Sequence, residues 1–69
     1  MKAAVVFENW KLSVFEREFK SEKIRYRKLN EEKGMIILEV RFQKSEFGKI
    51  RTLIEKCQRL AVKEKADEN

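Results

Sequence analysis

Histidine and proline are absent from this 69-residue chain, and cysteine occurs only once, at position 57. A single cysteine cannot form a disulfide within the chain. One thiol without histidines also falls short of the four ligands of a structural zinc site. A chain this short buries only about 60% of its surface on folding, so its stability must come from a well-packed core or from a partner subunit.

Groups suited to catalysis are equally scarce. The only aspartate is Asp67, near the C-terminus, and no nucleophile stands beside an evident base. Glycine occurs only at positions 34 and 48, so no glycine-rich phosphate loop is present. Cys57 falls on the apolar stripe of a predicted helix, where a free thiol packs as a small hydrophobic side chain. The sequence therefore predicts a non-enzymatic protein with no catalytic residue, cofactor or metal.

Charge is the most abundant property of the chain. Charged residues make up 42% of it and the net charge is +5, against a usual charged fraction of about one quarter. Abundant Lys and Glu are typical of hyperthermophilic proteins. The apolar run Ala3–Phe7 is too short for a signal peptide, and no stretch is long enough to span a bilayer. Because a lone cysteine also fits a reducing compartment, we expect a soluble cytoplasmic protein.

The first elements are a strand and a short helix. The run Ala3–Phe7 is apolar and β-branched, which favours a buried strand, β1. The residues after it leave two alternatives open: a bulged continuation of the strand, or a helix that begins at Asn9. Ser13 and Glu16 then have the spacing of a capping box. This motif predicts a helix, α1, over residues 14–22, with Phe15 and Phe19 on its inward face.

A β-hairpin is predicted next. Residues Ile24–Leu29 alternate as a strand, β2, and Met35–Phe42 form the clearest strand in the chain, β3. The segment Asn30–Gly34 has the composition of a turn. A hairpin centred on Glu32 makes the two alternation patterns agree. It gives the cross-strand pairs Ile24–Val40, Tyr26–Leu38, Lys28–Ile36 and Arg25–Glu39.

The last predicted element is a long helix, α2. Ser45 suits its N-cap, and Glu46 suits the positive end of its dipole. Apolar residues then recur every three or four positions: Phe47, Ile50, Leu53, Ile54, Cys57, Leu60 and Ala61. Glu55 and Arg59 have the order of a helical ion pair. Residues 66–69 are expected to fray.

The order β1-α1-β2-β3-α2 predicts a single α+β domain of βαββα type over residues 1–69. Its sheet has three strands in the order 1-3-2, with both helices on one face. This arrangement leaves the outer edge of β1 unpaired, and β1 has few of the charges that protect a free edge. We therefore predict that β1 pairs with a second copy or with a related chain. A β1 edge hidden under the tail of the chain is the alternative.

A basic cluster on the predicted hairpin is a candidate nucleic-acid contact: Lys23, Arg25, Arg27 and Arg41. Basic strands with interleaved aromatic residues bind single-stranded nucleic acids. Tyr26, however, falls on the inward face in the predicted register, and the aromatic pairs of an RNA-recognition motif are missing. A solvated face in a charge-rich protein is the simpler interpretation. Trp10, at the β1–α1 corner, belongs either to the core or to an interface.

The stretch LEVRFQKSEFGKIRTL, residues 38–53, resembles the small Pcc-type subunit of the KEOPS complex of archaea and eukaryotes. In that family a hydrophobic strand ending in an aromatic residue precedes a polar cap and a helix that opens with a Leu-Arg-Ala-like triplet. Here Ile50-Arg51-Thr52 occupies that place, and Ser13 matches the family's small polar cap after β1. The family's usual Asn-Ser pair is replaced by Glu55-Lys56, which indicates a divergent paralogue or accessory subunit.

The resemblance implies a non-catalytic subunit that dimerises and docks on the catalytic subunit that installs threonylcarbamoyl-adenosine in tRNA. On that view β1 forms the dimer edge, and α2 carries the partner surface around Arg51. The predicted partner-binding residues are Val5, Phe7, Trp10, Ile50, Arg51 and Leu53. The alternative is a small stand-alone RNA- or DNA-binding protein that uses the basic hairpin.

Overall fold

A computed structural model describes residues 1–67 of the chain. The elements are β1 (Lys2–Glu8), a 3-10 turn (Asn9–Lys11), α1 (Leu12–Ser21), β2 (Arg25–Glu32), β3 (Met35–Arg41), a second 3-10 turn (Lys44–Glu46) and α2 (Phe47–Asp67). The central strand β3 pairs antiparallel with both neighbours. The predicted α+β fold and the strand order 1-3-2 are confirmed. Neither helix among the described residues has the length and apolarity needed to cross a membrane.

The core lies between the helices and one face of the sheet. Its strand residues are Val5, Phe7, Ile36, Leu38 and Val40, and its helix residues include Phe15, Phe19, Ile50, Leu53 and Cys57. Successive strand residues point to opposite faces, so the sheet has one buried face and one open face. The alternation of β3 in the sequence predicts Ile36, Leu38, Val40 and Phe42 as its inward set. All four are buried, including Phe42, which is 7% exposed just after the strand.

An aromatic cluster joins α1 to the sheet. The rings of Phe7 and Phe15 are stacked, with 4.0 Å between centroids, and Phe19 meets Phe15 edge-on at 5.9 Å. Tyr26 lies 5.7 Å from Phe19, and its hydroxyl donates a hydrogen bond of 2.8 Å to Glu16. Burial, followed by the Glu16 carboxylate, raises the pKa of Tyr26 to about 12. Tyr26 therefore faces inward, as predicted.

The capping box predicted for α1 is wrong. The chain enters a 3-10 turn at Asn9 and continues directly into α1 at Leu12. Ser13 is already inside the helix, and the N-cap position falls on Lys11, which makes no side-chain capping bond. The helical alternative for the residues after β1 is thus the right one. Glu16 is free to accept the Tyr26 hydroxyl instead.

The cap predicted for α2 is also displaced. Ser45 lies within the 3-10 turn that precedes the helix, so it is not the N-cap. Gln43 takes that position: its backbone N–H donates to the Glu46 carboxylate at 2.9 Å, and the Glu46 N–H donates to the Gln43 carbonyl at 2.8 Å. These reciprocal bonds satisfy two backbone donors at the start of the helix.

The hairpin turn is tighter than predicted. Only Lys33 and Gly34 form it, and both have positive φ, 53° and 79°. This is the backbone of a two-residue hairpin turn whose twist matches that of the flanking strands. As a result β2 continues to Glu32, where the sequence had predicted a turn. Gly34 is a sequence signal for a turn, but a lysine at position 33 is not. The sequence therefore gives no indication that the turn is limited to these two residues.

The predicted strand register is wrong as well. A β-bulge between Lys28 and Asn30 shifts the pairing of β2 with β3. The observed pairs beyond the bulge are Lys28–Leu38, Arg27–Glu39, Tyr26–Val40 and Arg25–Arg41. The partner of Tyr26 has moved from Leu38 to Val40, an even displacement, so every side chain keeps its predicted face. The favourable Arg25–Glu39 pair is replaced by two arginines opposite each other.

Helix α2 differs from its prediction in the exposure of Phe47 and in the partner of Glu55. Phe47 was assigned to the apolar stripe but is 53% exposed. Glu55 pairs with Arg51, at 3.7 Å, rather than with the predicted Arg59. Fraying was predicted for residues 66–69: Ala66 and Asp67 are the last residues of the helix, and residues 68–69 lie outside the described part of the chain.

Candidate interaction surface

The outer edge of β1 presents unpaired backbone groups. Met1 exchanges hydrogen bonds with Phe42, of 2.8 and 3.0 Å, and the Asn9 N–H donates to the Gly34 carbonyl at 2.8 Å. Bonded and non-bonded pairs alternate in an antiparallel ladder. Odd-numbered residues of β1 therefore bond to β3, and even-numbered residues point their N–H and C=O outward. No strand in residues 1–67 pairs with these groups, which belong to Lys2, Ala4, Val6 and Glu8.

The other edge of the sheet is protected. Strand β2, with the sequence RYRKLNEE, carries five charged residues and is interrupted by the bulge. Charges and bulges are the devices by which proteins prevent a strand edge from pairing with another chain. On β1 the only charges are at the two ends, Lys2 and Glu8, with four apolar residues and a phenylalanine between them. The β2 edge is thus protected against pairing with another chain, whereas the β1 edge is not.

Charge on the open face changes sign along the strands. Directly paired residues share a face, which gives four rows across the sheet: Lys2–Arg41–Arg25, Ala4–Glu39–Arg27, Val6–Ile37–Asn30 and Glu8–Met35–Glu32. The first row carries three cations and the last two carboxylates. Between them lie the Arg27–Glu39 ion pair and the apolar side chains of Ala4, Val6 and Ile37. Two of the apolar side chains, Val6 and Met35, are 53% and 37% exposed.

The four residues predicted to contact nucleic acid are brought together. Arg41 and Arg27 share the Glu39 carboxylate, at 3.4 and 3.6 Å. Arg25 stands opposite Arg41 in the sheet. In the described part of the chain it has no carboxylate within 4.0 Å to balance that repulsion. Lys23, held at a φ of 58° where α1 ends, joins Arg25 and Arg41 around a groove of about 370 Å³.

Most of the predicted partner-binding residues lie in the core instead. Val5, Phe7, Ile50 and Leu53 are 7%, 2%, 3% and 5% exposed. Their side chains pack inside the chain, and the backbone groups of Val5 and Phe7 point toward β3 and not toward the open edge. Arg51 is exposed. Of the six predicted residues, only Trp10 and Arg51 have exposed side chains.

An apolar groove of about 320 Å³ runs between β1 and α2. It is lined by Ala3, Phe42, Phe47, Ile50, Ile54 and the Arg51–Glu55 ion pair. Both Phe47 and Ile54 fit the apolar stripe predicted for α2, but Phe47 is 53% exposed and Ile54 is only partly buried. Their spacing of seven is the available signal, since it places both on one flank of α2 beside the buried stripe.

Trp10 is occupied by contacts within the chain. Its indole Nε1 donates to Glu8 at 2.8 Å, and the Lys65 ammonium lies 4.2 Å from the ring centroid. The Trp10 hydrogen bond, aided by Lys11, holds the pKa of Glu8 below its usual range. Trp10 is still 37% exposed. It joins the end of β1 to the end of α2 and borders the open edge.

The chemistry available in the core is limited. Cys57 has no exposed surface, and burial, reinforced by Glu18, raises the pKa of its thiol to about 11. A thiol with that pKa is not ionised at neutral pH. Across residues 1–67, no three His, Cys, Asp or Glu side chains come together as a metal-binding group.

The architecture defines a class of protein, a small α+β domain with one open sheet edge. No family model, curated protein or solved structure matches the chain.

Proposed function

We propose that this chain is a non-catalytic interaction subunit that binds another protein through the outer edge of β1. The observation that carries the proposal is the contrast between the two sheet edges. The N–H and C=O groups of Ala4 and Val6 are available for strand pairing, whereas β2 is protected by charges and a bulge. Addition of a strand to such an edge is a common mode of protein recognition.

The groove beside the edge supports the same proposal. Main-chain bonds alone give little selectivity, and interfaces gain affinity from apolar side chains at their centre. Phe47 and Ile54 provide such a surface next to Ala3. An exposed phenylalanine beside an open edge favours a partner that covers both features together.

The identity of the assembly rests on the sequence resemblance. Residues 38–53 resemble the Pcc-type subunits of KEOPS, and the βαββα order agrees with that family. We extend the proposal accordingly to a divergent or accessory subunit of a KEOPS-like complex that makes threonylcarbamoyl-adenosine in tRNA. The lone buried Cys57 fits the cytoplasm as its location, because a reducing compartment keeps a single thiol free.

Replacing Ala4 with proline tests the role of the edge. The Ala4 N–H points away from β3, so proline removes an outward donor while leaving the internal ladder intact. Capture of the partner by the tagged chain from native extract, followed by mass spectrometry, is expected to fall at least tenfold. The matched control, Ala4→Thr, keeps the N–H and is expected to retain the partner. Equal capture by both variants, or recovery of nucleic acid alone, would contradict the proposal.

Nucleic-acid binding is a second candidate, favoured by one observation. Lys2, Arg41 and Arg25 form a row of three cations across the sheet, and like charges directly opposite each other destabilise it. A phosphate group between Arg25 and Arg41 would relieve that repulsion. The groove that Lys23 completes is open to such a group.

The salt dependence of binding to tRNA tests this second function. If Arg25 contacts a phosphate, Arg25→Gln should reduce the slope of log K against log salt by about 0.7–0.9. Lys63→Gln is the control, because it removes the same charge from an exposed position on α2. Identical slopes and affinities for the two variants would show that the basic row makes no phosphate contact.

A further inference from the structure

The backbone register and the charges of the β1 edge indicate which partner binds there. We propose that it is a second copy of this chain, paired antiparallel through β1 about a two-fold axis that passes between the two Val5 residues. The inference rests on the proposed function, because it requires the β1 edge to be the binding surface. It adds the identity of the partner and the register of the contact.

Backbone geometry restricts the possible registers. The outward N–H and C=O groups belong to even-numbered residues. Two antiparallel copies can therefore bond only where even residues stand opposite even residues. In the register centred on Val5, Lys2 of one copy faces Glu8 of the other, and Ala4 faces Val6. Each of these pairs exchanges two hydrogen bonds, and the Val5–Val5 pair is the non-bonded position at the axis.

The neighbouring registers are poorer. A register centred on Ala4 leaves Glu8 beyond the end of the opposing strand. A register centred on Val6 places Lys2 opposite Trp10, which belongs to the 3-10 turn and not to β1. Only the register centred on Val5 uses the whole of Lys2–Glu8 on both copies. It therefore satisfies the largest number of outward backbone groups.

Charge selects the same arrangement. The cationic row that begins at Lys2 and the acidic row that begins at Glu8 lie at opposite ends of the open face. Antiparallel pairing sets the basic row of one copy in line with the acidic row of the other. Lys2 and Glu8 then form an ion pair at each end of the junction. A parallel arrangement would place like charges beside each other, which is unfavourable between adjacent strands.

The helix side of the junction is apolar. The two-fold axis keeps both helical layers on the same side of the joined sheet. Val5 stands opposite Val5 on that side, and Ala3 of one copy stands opposite Phe7 of the other. The groove that holds Phe47 and Ile54 lies beside this line, so α2 of the second copy covers it. This contact adds apolar area to a strand pair that by itself is small for a stable interface.

A cysteine trap tests the register. Ala4 and Val6 occupy the open face, and in the proposed register the two positions lie about 5.5 Å apart between copies, measured Cα to Cα. An equimolar mixture of Ala4→Cys and Val6→Cys chains, treated with a short thiol crosslinker, should give at least tenfold more covalent dimer than either variant alone. Unmodified protein, which keeps the buried Cys57, gives the background.

The trap separates the alternatives. Self-crosslinking of Ala4→Cys would indicate the register centred on Ala4, and self-crosslinking of Val6→Cys the register centred on Val6; either overturns the proposed pairing. An exchange of charges gives an independent measurement in solution. Lys2→Glu and Glu8→Lys should each raise the Kd of self-association about tenfold, as measured by sedimentation. Mixing the two variants should restore association, because the mixed dimer has two ion pairs again: Glu8 of the first variant with Lys2 of the second, and the introduced Glu at position 2 with the introduced Lys at position 8.

Failure of this inference and failure of the proposed function have different signatures. A chain that stays monomeric at high concentration, yet captures another protein that Ala4→Pro fails to capture, overturns the self-pairing and leaves the proposed function standing. Capture that is insensitive to Ala4→Pro removes the proposed function, and the self-pairing falls with it. Circular dichroism of each variant confirms that the fold is retained before association is scored.

Discussion

Replacement of Phe15 by alanine is expected to leave the protein largely unfolded at 25 °C. The Phe15 ring has no exposed surface, stacks on Phe7 at 4.0 Å and meets Phe19 edge-on. Truncation of a buried phenylalanine costs about 3–5 kcal/mol. In a chain shorter than about 70 residues a single core rarely supplies more than about 3–5 kcal/mol of stability. The loss therefore consumes most or all of the stability.

Urea unfolding followed by far-ultraviolet circular dichroism measures the effect. Phe47→Ala is the matched control, since it deletes the same atoms from a side chain that is 53% exposed. It should cost about 1 kcal/mol or less while weakening association through the groove. If Phe15→Ala and Phe47→Ala had similar midpoints, the aromatic cluster under α1 would not be the centre of the core.

The face that each strand residue occupies could be predicted from the sequence, whereas the register could not. Alternation places Ile36, Leu38 and Val40 inward whatever their exact partners are, because a shift by two residues leaves the faces unchanged. The register depends on the turn. Gly34 indicates a turn, but a left-handed lysine at position 33 and a bulge after Lys28 leave no mark in the pattern.

The predicted start of helix α1 is wrong for a different reason. Ser13 and Glu16 satisfy the capping pattern, and locally that conformation is available. In the folded chain the 3-10 turn at Asn9 starts the helix earlier, and Glu16 accepts the Tyr26 hydroxyl instead. A contact between α1 and β2 thus overrides a local motif. Tertiary packing of this kind is not visible in the neighbourhood of Ser13.

The candidate site was predictable as an element but not in its details. The sparse charge of β1 indicates an exposed edge from sequence alone. Which residues offer their backbone to a partner depends on the Met1–Phe42 bonds, a contact between distant parts of the chain. The exposure of Phe47 is equally hidden, since its spacing from Ile50 fits the buried stripe of α2.

Proline at two adjacent positions of β1 should destabilise the fold to very different extents. Val5 bonds to Leu38 within the ladder, so Val5→Pro removes an internal hydrogen bond and inserts a ring beside β3. Together with the loss of a buried side chain, this is expected to cost about 3 kcal/mol or more. Ala4→Pro removes only an outward donor and should cost about 1 kcal/mol. Thermal and urea unfolding of the two variants compare these costs directly.

This pair of variants tests the alternation on which both proposals depend. If Ala4→Pro were the more damaging change, the outward groups would belong to the odd-numbered residues, and the Lys2–Glu8 pairing between copies would be lost. If both variants unfolded, β1 would be bonded on both sides, as the alternative of a covered edge requires. If the β1 edge is open, the Ala4→Pro chain should fold but no longer associate, and the Val5→Pro chain should not fold. That result would separate the two functions of β1, because its odd residues hold the sheet together and its even residues are left for a partner.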